Sequence, residues 1–321
     1  MNRVYAECGL VNGLEVVAIC TKDRSSLSKN SLSAPLITDN FNELLDAVDL
    51  VYIHSHPDCH YEQVKKALEA GKHVMCEAPL AKSAAECDEL FSLADERNLV
   101  LMDSLRTAYS TAYARMLLLV AGGRIGDVVS VDATCTNLNT NRPPYSLSHE
   151  TAWSSMAAWG PTALLPIFQI LGSSPETVQF SSLCDLKDKA FDNFSRISVE
   201  FQGAVGSAKV GAGAKSEGSL VVSGTKGYVY VPAPWWKTDY FEIRYENSSD
   251  NRRYFYQLDG EGIRFEWVSF LRMIEAVSEG TDGEEALRRE GGIERDITRA
   301  ICKVIGSFER GDHVRYMEVH K

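Results

Sequence analysis

VYIHSHPDCHYEQVKKALEAGKHVMCEAPL, residues Val51–Leu80, places two strand-like segments on either side of one helical repeat. Asp49–His54 (DLVYIH) and His73–Cys76 (HVMC) are short and too uniformly apolar to keep one face in water. Between them Tyr61, Val64 and Leu68 recur at a helical period. His56-Pro57-Asp58 reads as the joining turn, with Pro57 stopping the strand and Asp58 capping the helix. Outward from there, Leu14–Cys20 (LEVVAIC) and Leu99–Met102 (LVLM) are further strand candidates. Tyr113, Met116, Leu117 and Val120 form another helical face. Apolar strands separated by helices predict a parallel sheet covered on both sides, half of a doubly wound α/β domain over residues 1–126.

From Asp127 the pattern changes to alternating segments such as VVSVDATC, RISVEF, SLVVSG, YVYV and YFEIRY, set apart by Gly, Asn and Ser turns. One helical island interrupts them at Ser155–Leu171. A later helix carries Trp267, Leu271, Ile274 and Val277 on one face, and a more charged one runs from about Glu284 to Phe308. Residues 127–321 therefore predict an open antiparallel sheet with helices on one face, an α+β layer. The chain's 321 residues suit about two domains. Lys+Arg 33 against Asp+Glu 44 gives a net charge of −11, which opposes a polyphosphate partner. No apolar run approaches the length of a membrane span, and the N-terminus lacks a signal-peptide core, so a cytoplasmic protein is expected. The 8 cysteines are dispersed without a CxxC pair, which favours reduced thiols over structural zinc or a disulfide framework.

Three stretches resemble the glucose-fructose oxidoreductase / inositol dehydrogenase (Gfo/Idh/MocA) family. Val51–Leu80 is similar to that family's fourth strand, the following helix, and a fifth strand ending in a Glu-Lys-Pro motif. Leu101–Val131 resembles the crossover into the C-terminal domain, and GTKGYVYVP (Gly224–Pro232) the turn and strand of the open sheet. The resemblance implies a Rossmann-like parallel α/β domain that binds NAD or NADP. It also implies a C-terminal sheet that shapes a substrate pocket and often builds homo-oligomers. The implied reaction is hydride transfer on a sugar, cyclitol or related polyol, where a base takes the hydroxyl proton and a cation steadies the oxygen.

Departures from the family are as informative. The family opens on a strand and a G-x-G-x-x-G loop that holds the pyrophosphate. Here Gly9 and Gly13 have no strand before them, and the chain begins inside the helix that follows that loop. In the strand order 3-2-1-4-5-6 the absent strand leaves two facing rows of unpaired backbone groups. The motif's lysine is Ala78, within Glu77-Ala78-Pro79. The helix that carries the family's Asp, and a His four residues later, aligns with SSMAAWGPTALL, which puts Ala158 and Thr162 at those positions with Gly160 as anchor.

The remaining candidates each admit a plainer reading. Thr21 and Lys22 stand where the adenosine ribose or a 2′-phosphate is met, favouring NADP over NAD, or else form a polar loop. His56, Pro57, Glu77 and Pro79 are expected at the cofactor, with Pro79 fixing the turn. His54, His56 and His60 have a metal-like spacing, but turn and helix-start roles are favoured and no metal is expected. Lys82 leans back toward the motif or is solvated. Arg106 meets a ligand or forms a salt bridge at the junction between domains. Tyr109, Trp153 and Trp159 line a pocket or pack the core, and His149 replaces the lost base or is a loop residue. Pro234-Trp235-Trp236 predicts an exposed oligomer face. Two functions stay open: an oxidoreductase acting through unorthodox residues on a sugar-like ligand, expected to be deficient as it stands, or a non-catalytic protein that binds a ligand or another subunit.

Overall fold

The computed structural model describes residues 2–138, 154–185 and 188–318. A short helix α1 (Asn2–Cys8) precedes strand β1 (Ala18–Cys20), strand β2 (Leu36–Thr38) and helix α2 (Phe41–Ala47). Then β3 (Leu50–Ile53), α3 (His60–Glu69), β4 (His73–Glu77), α4 (Ala84–Glu96), β5 (Leu101–Ser104) and α5 (Thr111–Ala121) alternate as their apolar patterns predict. β3, β4 and β5 form one parallel sheet, in register Val51↔Val74 and Val74↔Leu101. β1 and β2 pair parallel in a separate sheet, and among the described residues no hydrogen-bonded pairing joins β1 to β3. The expected strand Leu14–Cys20 is correspondingly short, because β2 is three residues long and is the strand that β1 pairs with.

Local chemistry sets the element ends. Ser83 caps α4 by accepting from Glu86 N (3.1 Å), while the Glu86 carboxylate accepts from Lys82 N (3.0 Å). Before α3 the cap falls on His56, not Asp58: His56 Nδ1 accepts from Asp58 N (3.3 Å), and Pro57 opens a 3-10 turn that leads into the helix. Asp58 instead takes the ammonium of Lys82, which also lies 3.2 Å from Glu309, so Lys82 faces the turn before α3 and the last helix rather than the Glu77-Ala78-Pro79 turn.

The second half is built on β6 (Val128–Thr136), helix α6 (Ser155–Leu171), β7 (Thr177–Asp185), β8 (Asp188–Phe201), β9 (Ala204–Gly211), β10 (Leu220–Gly224), β11 (Gly227–Val231), β12 (Tyr240–Tyr245) and β13 (Arg252–Phe255). Helices α7 (Ile263–Ser278), α8 (Gly283–Arg289) and α9 (Arg295–Arg310) and strand β14 (Val314–Glu318) complete it. The sheet has nine strands in the order β13-β12-β11-β10-β6-β9-β8-β7-β14. It is mixed rather than wholly antiparallel, since β6–β9 and β7–β14 run parallel.

α6 and α9 cover one face, burying Leu164, Ile167, Phe168, Ile301, Val304 and Ile305 against Ile197, Val199, Ala208 and Val210. Gly160 lets them close: a Cβ there would stand 2.8 Å from Ile305 Cδ1. The single helix expected from Glu284 to Phe308 is two, because Gly291 takes a left-handed φ of 68° and Gly292 N bonds back to Leu287 O (2.8 Å). α7 folds back onto the first half. Its deep face is Ile263, Glu266, Trp267, Phe270 and Met273, packed on Val4, Met75, Val100 and Met102, while Leu271, Ile274 and Val277 are half-buried. The stripe is rotated from the expected one because an acid, Glu266, occupies a core position.

Of Pro234-Trp235-Trp236 only Pro234 is exposed, so the tryptophans do not form the expected face. A 3-10 turn tucks Trp235 fully under the sheet, where Nε1 donates to Thr134 O (3.1 Å), and Trp236 packs at 4.9 Å on Trp159. Among the described residues no helix is long and apolar enough to cross a membrane.

Candidate active site

The carboxyl ends of β3, β4 and β5 open onto a cavity of about 260 Å³, the place where open α/β sheets take ligands. His54 enters after β3, Glu77 and Ala78 at the end of β4, and Ser104 to Thr107 after β5. α6 supplies the opposite wall with Ala158, Trp159 and Thr162, Trp236 closes one side, and Tyr52, Ile263 and Glu266 line the rest. Two tryptophans beside carboxylates and hydroxyls suit a ligand with apolar C–H faces and polar edges.

The carboxyl groups differ in surroundings. Glu77 accepts from the Tyr52 hydroxyl, and His54 Nδ1 lies 3.3 Å from its Oε1. Burial works to raise the Glu77 carboxyl. The His54 contact, the Tyr52 hydrogen bond and the Arg106 charge outweigh it and hold the group below its ordinary value. Glu266 is buried with the Ser104 hydroxyl 3.2 Å from each of its oxygens. Burial first, then the charge of Glu77, pushes the Glu266 carboxyl well above the usual range; Arg106 and Ser104 oppose only in part. Behind them Asp103, buried on β5, is pushed up to about 7 by desolvation, with the Glu77 charge adding and Thr298 opposing.

Ala78, Ala158 and Thr162 all face this one cavity, so the three positions aligned from the sequence converge in space. Arg106 is in the wall and also reaches Glu261 at 3.8 Å, combining its two readings. Trp159 is in the wall with its Nε1 donating to Asn137 Oδ1 (3.1 Å). Tyr109 is not: it packs between the two halves' cores with its hydroxyl buried. Of the expected cofactor residues only Glu77 lines the cavity. His56 and Pro57 serve the turn, and the carbonyl of Pro79 lies 2.8 Å from His60 Nδ1. His60 Nε2 faces Ser55 O at 3.0 Å, so the ring ties the loop after β3 to the loop after β4. The three histidines do not converge, and no metal-like cluster occurs among the described residues. Thr21 and Lys22 lie past β1, away from the cavity, where Thr21 Oγ1 accepts from Asp23 N (3.1 Å). His149 and Trp153 lie outside the described residues.

The sequence reading missed Tyr52, Ser104, Thr107, Trp236 and Glu266. Glu266 had a signal: an acid between Ile263, Trp267 and Phe270 on an apolar helical stripe. As for a dinucleotide, the cavity suits its reacting end, but the described residues do not fit the pyrophosphate. Gly9 and Gly13 follow α1 instead of preceding it, so among the described residues they form no glycine-rich turn that presents backbone N–H groups to a phosphate.

A parallel α/β half whose strand ends meet a helix of an open mixed sheet defines a two-part Rossmann-type fold. A family model described as an oxidoreductase family with an NAD-binding Rossmann fold (Gfo/Idh/MocA) matches residues 5–104. An uncharacterized oxidoreductase of Schizosaccharomyces pombe is 33% identical over 129 residues, 39% of this chain and 35% of that protein, so the match spans about a third of its length. Trans-1,2-dihydrobenzene-1,2-diol dehydrogenase of Xenopus tropicalis is 25% identical over 231 residues, 69% of this chain and 68% of its own. A 3-ketoreductase of Actinomadura kijaniata, solved with NADP and TDP-benzene, superposes with a TM-score of 0.81 at 17% identity, covering 99% of this chain and 95% of the other. Levoglucosan dehydrogenase, solved with NADH and levoglucosan, superposes with a TM-score of 0.76 at 17% identity over 97% and 92%. Residues 5–104 are thus similar to the NAD-binding Rossmann domain of the Gfo/Idh/MocA oxidoreductases, and the whole chain shares the fold of the two solved enzymes.

Proposed function

We propose that the cavity binds a sugar or related polyol for NAD(P)-linked oxidation–reduction, and that these 321 residues are deficient in turnover. One observation carries the reading: Ala78, Ala158 and Thr162 stand together in the wall of a cavity otherwise furnished for a sugar. Tryptophan faces, the Arg106 guanidinium and two carboxyl groups match a polyhydroxylated ring, whereas the three replaced positions offer one hydroxyl and no titratable group. The levoglucosan bound by a relative of the same fold supports the substrate class, and Thr21-Lys22 supports NADP over NAD.

The test is a calorimetric and spectrophotometric screen of this chain with sugars and inositols, each with NADPH and with NADH. Saturable sugar binding with background turnover and weak cofactor binding is expected. Low-micromolar NADPH binding or robust turnover overturns the deficiency, and failure of every sugar to bind overturns the substrate class.

A further inference from the structure

Resting on the reading that the cavity holds a sugar-like ligand, we propose that Glu266 is the cavity's hydrogen-bond donor to a ligand carbonyl, so that the form recognised is a ketose. Glu266 sits in the first turn of α7 and is 2% exposed, yet it lines the cavity. Its one hydrogen-bond partner among the described side chains is the Ser104 hydroxyl, 3.2 Å from both oxygens. No ion pair meets it among the described residues, in contrast to Glu77 on the facing strand end, which has Tyr52 and His54. Arg106 is the cation in the same wall, and it is engaged with Glu261.

The titratable and polar groups around Glu266 are Tyr52 and His54 from β3 and its loop, Glu77 from β4, Asp103 and Ser104 from β5, and Arg106 and Tyr109 from the turn beyond it. Two further acids and one cation around a carboxyl that is itself buried leave the charged form of Glu266 poorly supported. Two carboxyl groups of one cavity thus diverge, one kept neutral and one kept ionised, the arrangement that separates a donor from an acceptor. A neutral carboxyl offers one O–H donor, and a ketone oxygen can only accept. Glu77 remains as acceptor for a neighbouring hydroxyl.

The pH behaviour of two probes distinguishes a donor from a passive wall residue. L-erythrulose, an open-chain ketose, loses its partner when Glu266 ionises, because a carboxylate has no proton to give. Erythritol keeps one, because its hydroxyl donates to the carboxylate. Titrations of the full chain followed by ligand-observed NMR should show erythrulose weakening about tenfold as Glu266 ionises on the alkaline side, with erythritol nearly unchanged. Glu266→Gln, whose amide donates at every pH, should hold erythrulose with a flat pH profile, and Glu266→Leu should lose about tenfold at neutral pH. Infrared difference spectra at neutral pH should show a protonated carboxyl component that is lost in Glu266→Gln and kept in Asp103→Asn. A missing band, or the same pH profile for both probes, overturns the inference and leaves the sugar reading standing. A band present with neither probe bound overturns this assignment, and failure of every sugar of the wider panel overturns the sugar reading as well.

Discussion

Asp103 shows most directly what a buried acid does at the level of one residue. It stands 3% exposed on β5, and desolvation lifts its carboxyl from 3.8 to about 7. A raised acid binds more protons folded than unfolded over that interval. Stability is therefore full below the unfolded value and falls as pH climbs through about 7. Asp103→Asn should raise stability above neutrality by up to about 3 kcal/mol, with the gain shrinking in mildly acid buffer; urea midpoints across pH measure it. A gain that does not depend on pH would show that Asp103 is not the titrating group. Ala78 poses the complementary case. A lone oriented cation is worth roughly a hundredfold in rate where the rest of a site is in place. Here Ala158 and Thr162 share the wall and supply no acid or base, so Ala78→Lys should leave dehydrogenase activity on a sugar panel at background. Turnover restored by this one change would show that the lysine alone was missing.

Among the elements, legibility followed how local the deciding interaction is. β3, α3 and β4 were readable because their apolar runs and the Pro57 and Gly71 punctuation lie within the segments themselves. α6 begins and ends where its composition says, at Ser155 and Leu171, with Ser154 capping it by accepting from Ala157 N (3.1 Å). The length of β1 was not readable, since it depends on β2 pairing over three residues. Nor was the function of Glu266, an acid whose burial follows from α7 crossing back onto α1 and β4. The site was legible at Ala78, Ala158 and Thr162, where motif spacing fixed the position, and illegible at Trp236, which a turn carries inward against Trp159. One contact between elements shows how tight this crossing is. Gly306 of α9 packs against the carbonyl oxygen of Lys82, where any Cβ would collide with backbone. Gly306→Ala gains helix propensity yet should destabilise by about 1–3 kcal/mol, because α9 must shift from α4. Chemical denaturation decides the sign, and a stabilised variant would mean the two elements separate freely.

At the scale of the whole molecule, the nine-stranded sheet has two unlike faces. α6 and α9 bury one of them. On the other, Tyr228, Tyr230 and Tyr240 alternate with Arg244 and Arg253, and both arginines engage Glu242 between them. The guanidinium of Arg244 lies 4.9 Å from the Tyr230 ring, and that of Arg253 lies 5.3 Å from Tyr240. Stacked in this way the arginines are already ordered, so covering them costs little side-chain entropy, and tyrosine with arginine is the composition that anchors protein contacts. Phe255 is 68% exposed on the outer strand β13, and Val205 of β9 is 48% exposed. The apolar contribution to self-association is thus expected here and not at Trp235, which the sheet already buries. Light scattering at micromolar concentrations should report a homo-oligomer. The double variant Phe255→Glu, Val205→Glu should shift it toward monomer, because both side chains are exposed and neither belongs to a core cluster. A wild-type chain that stays monomeric rejects assembly altogether, and an oligomer unmoved by the double variant places the contact on another surface.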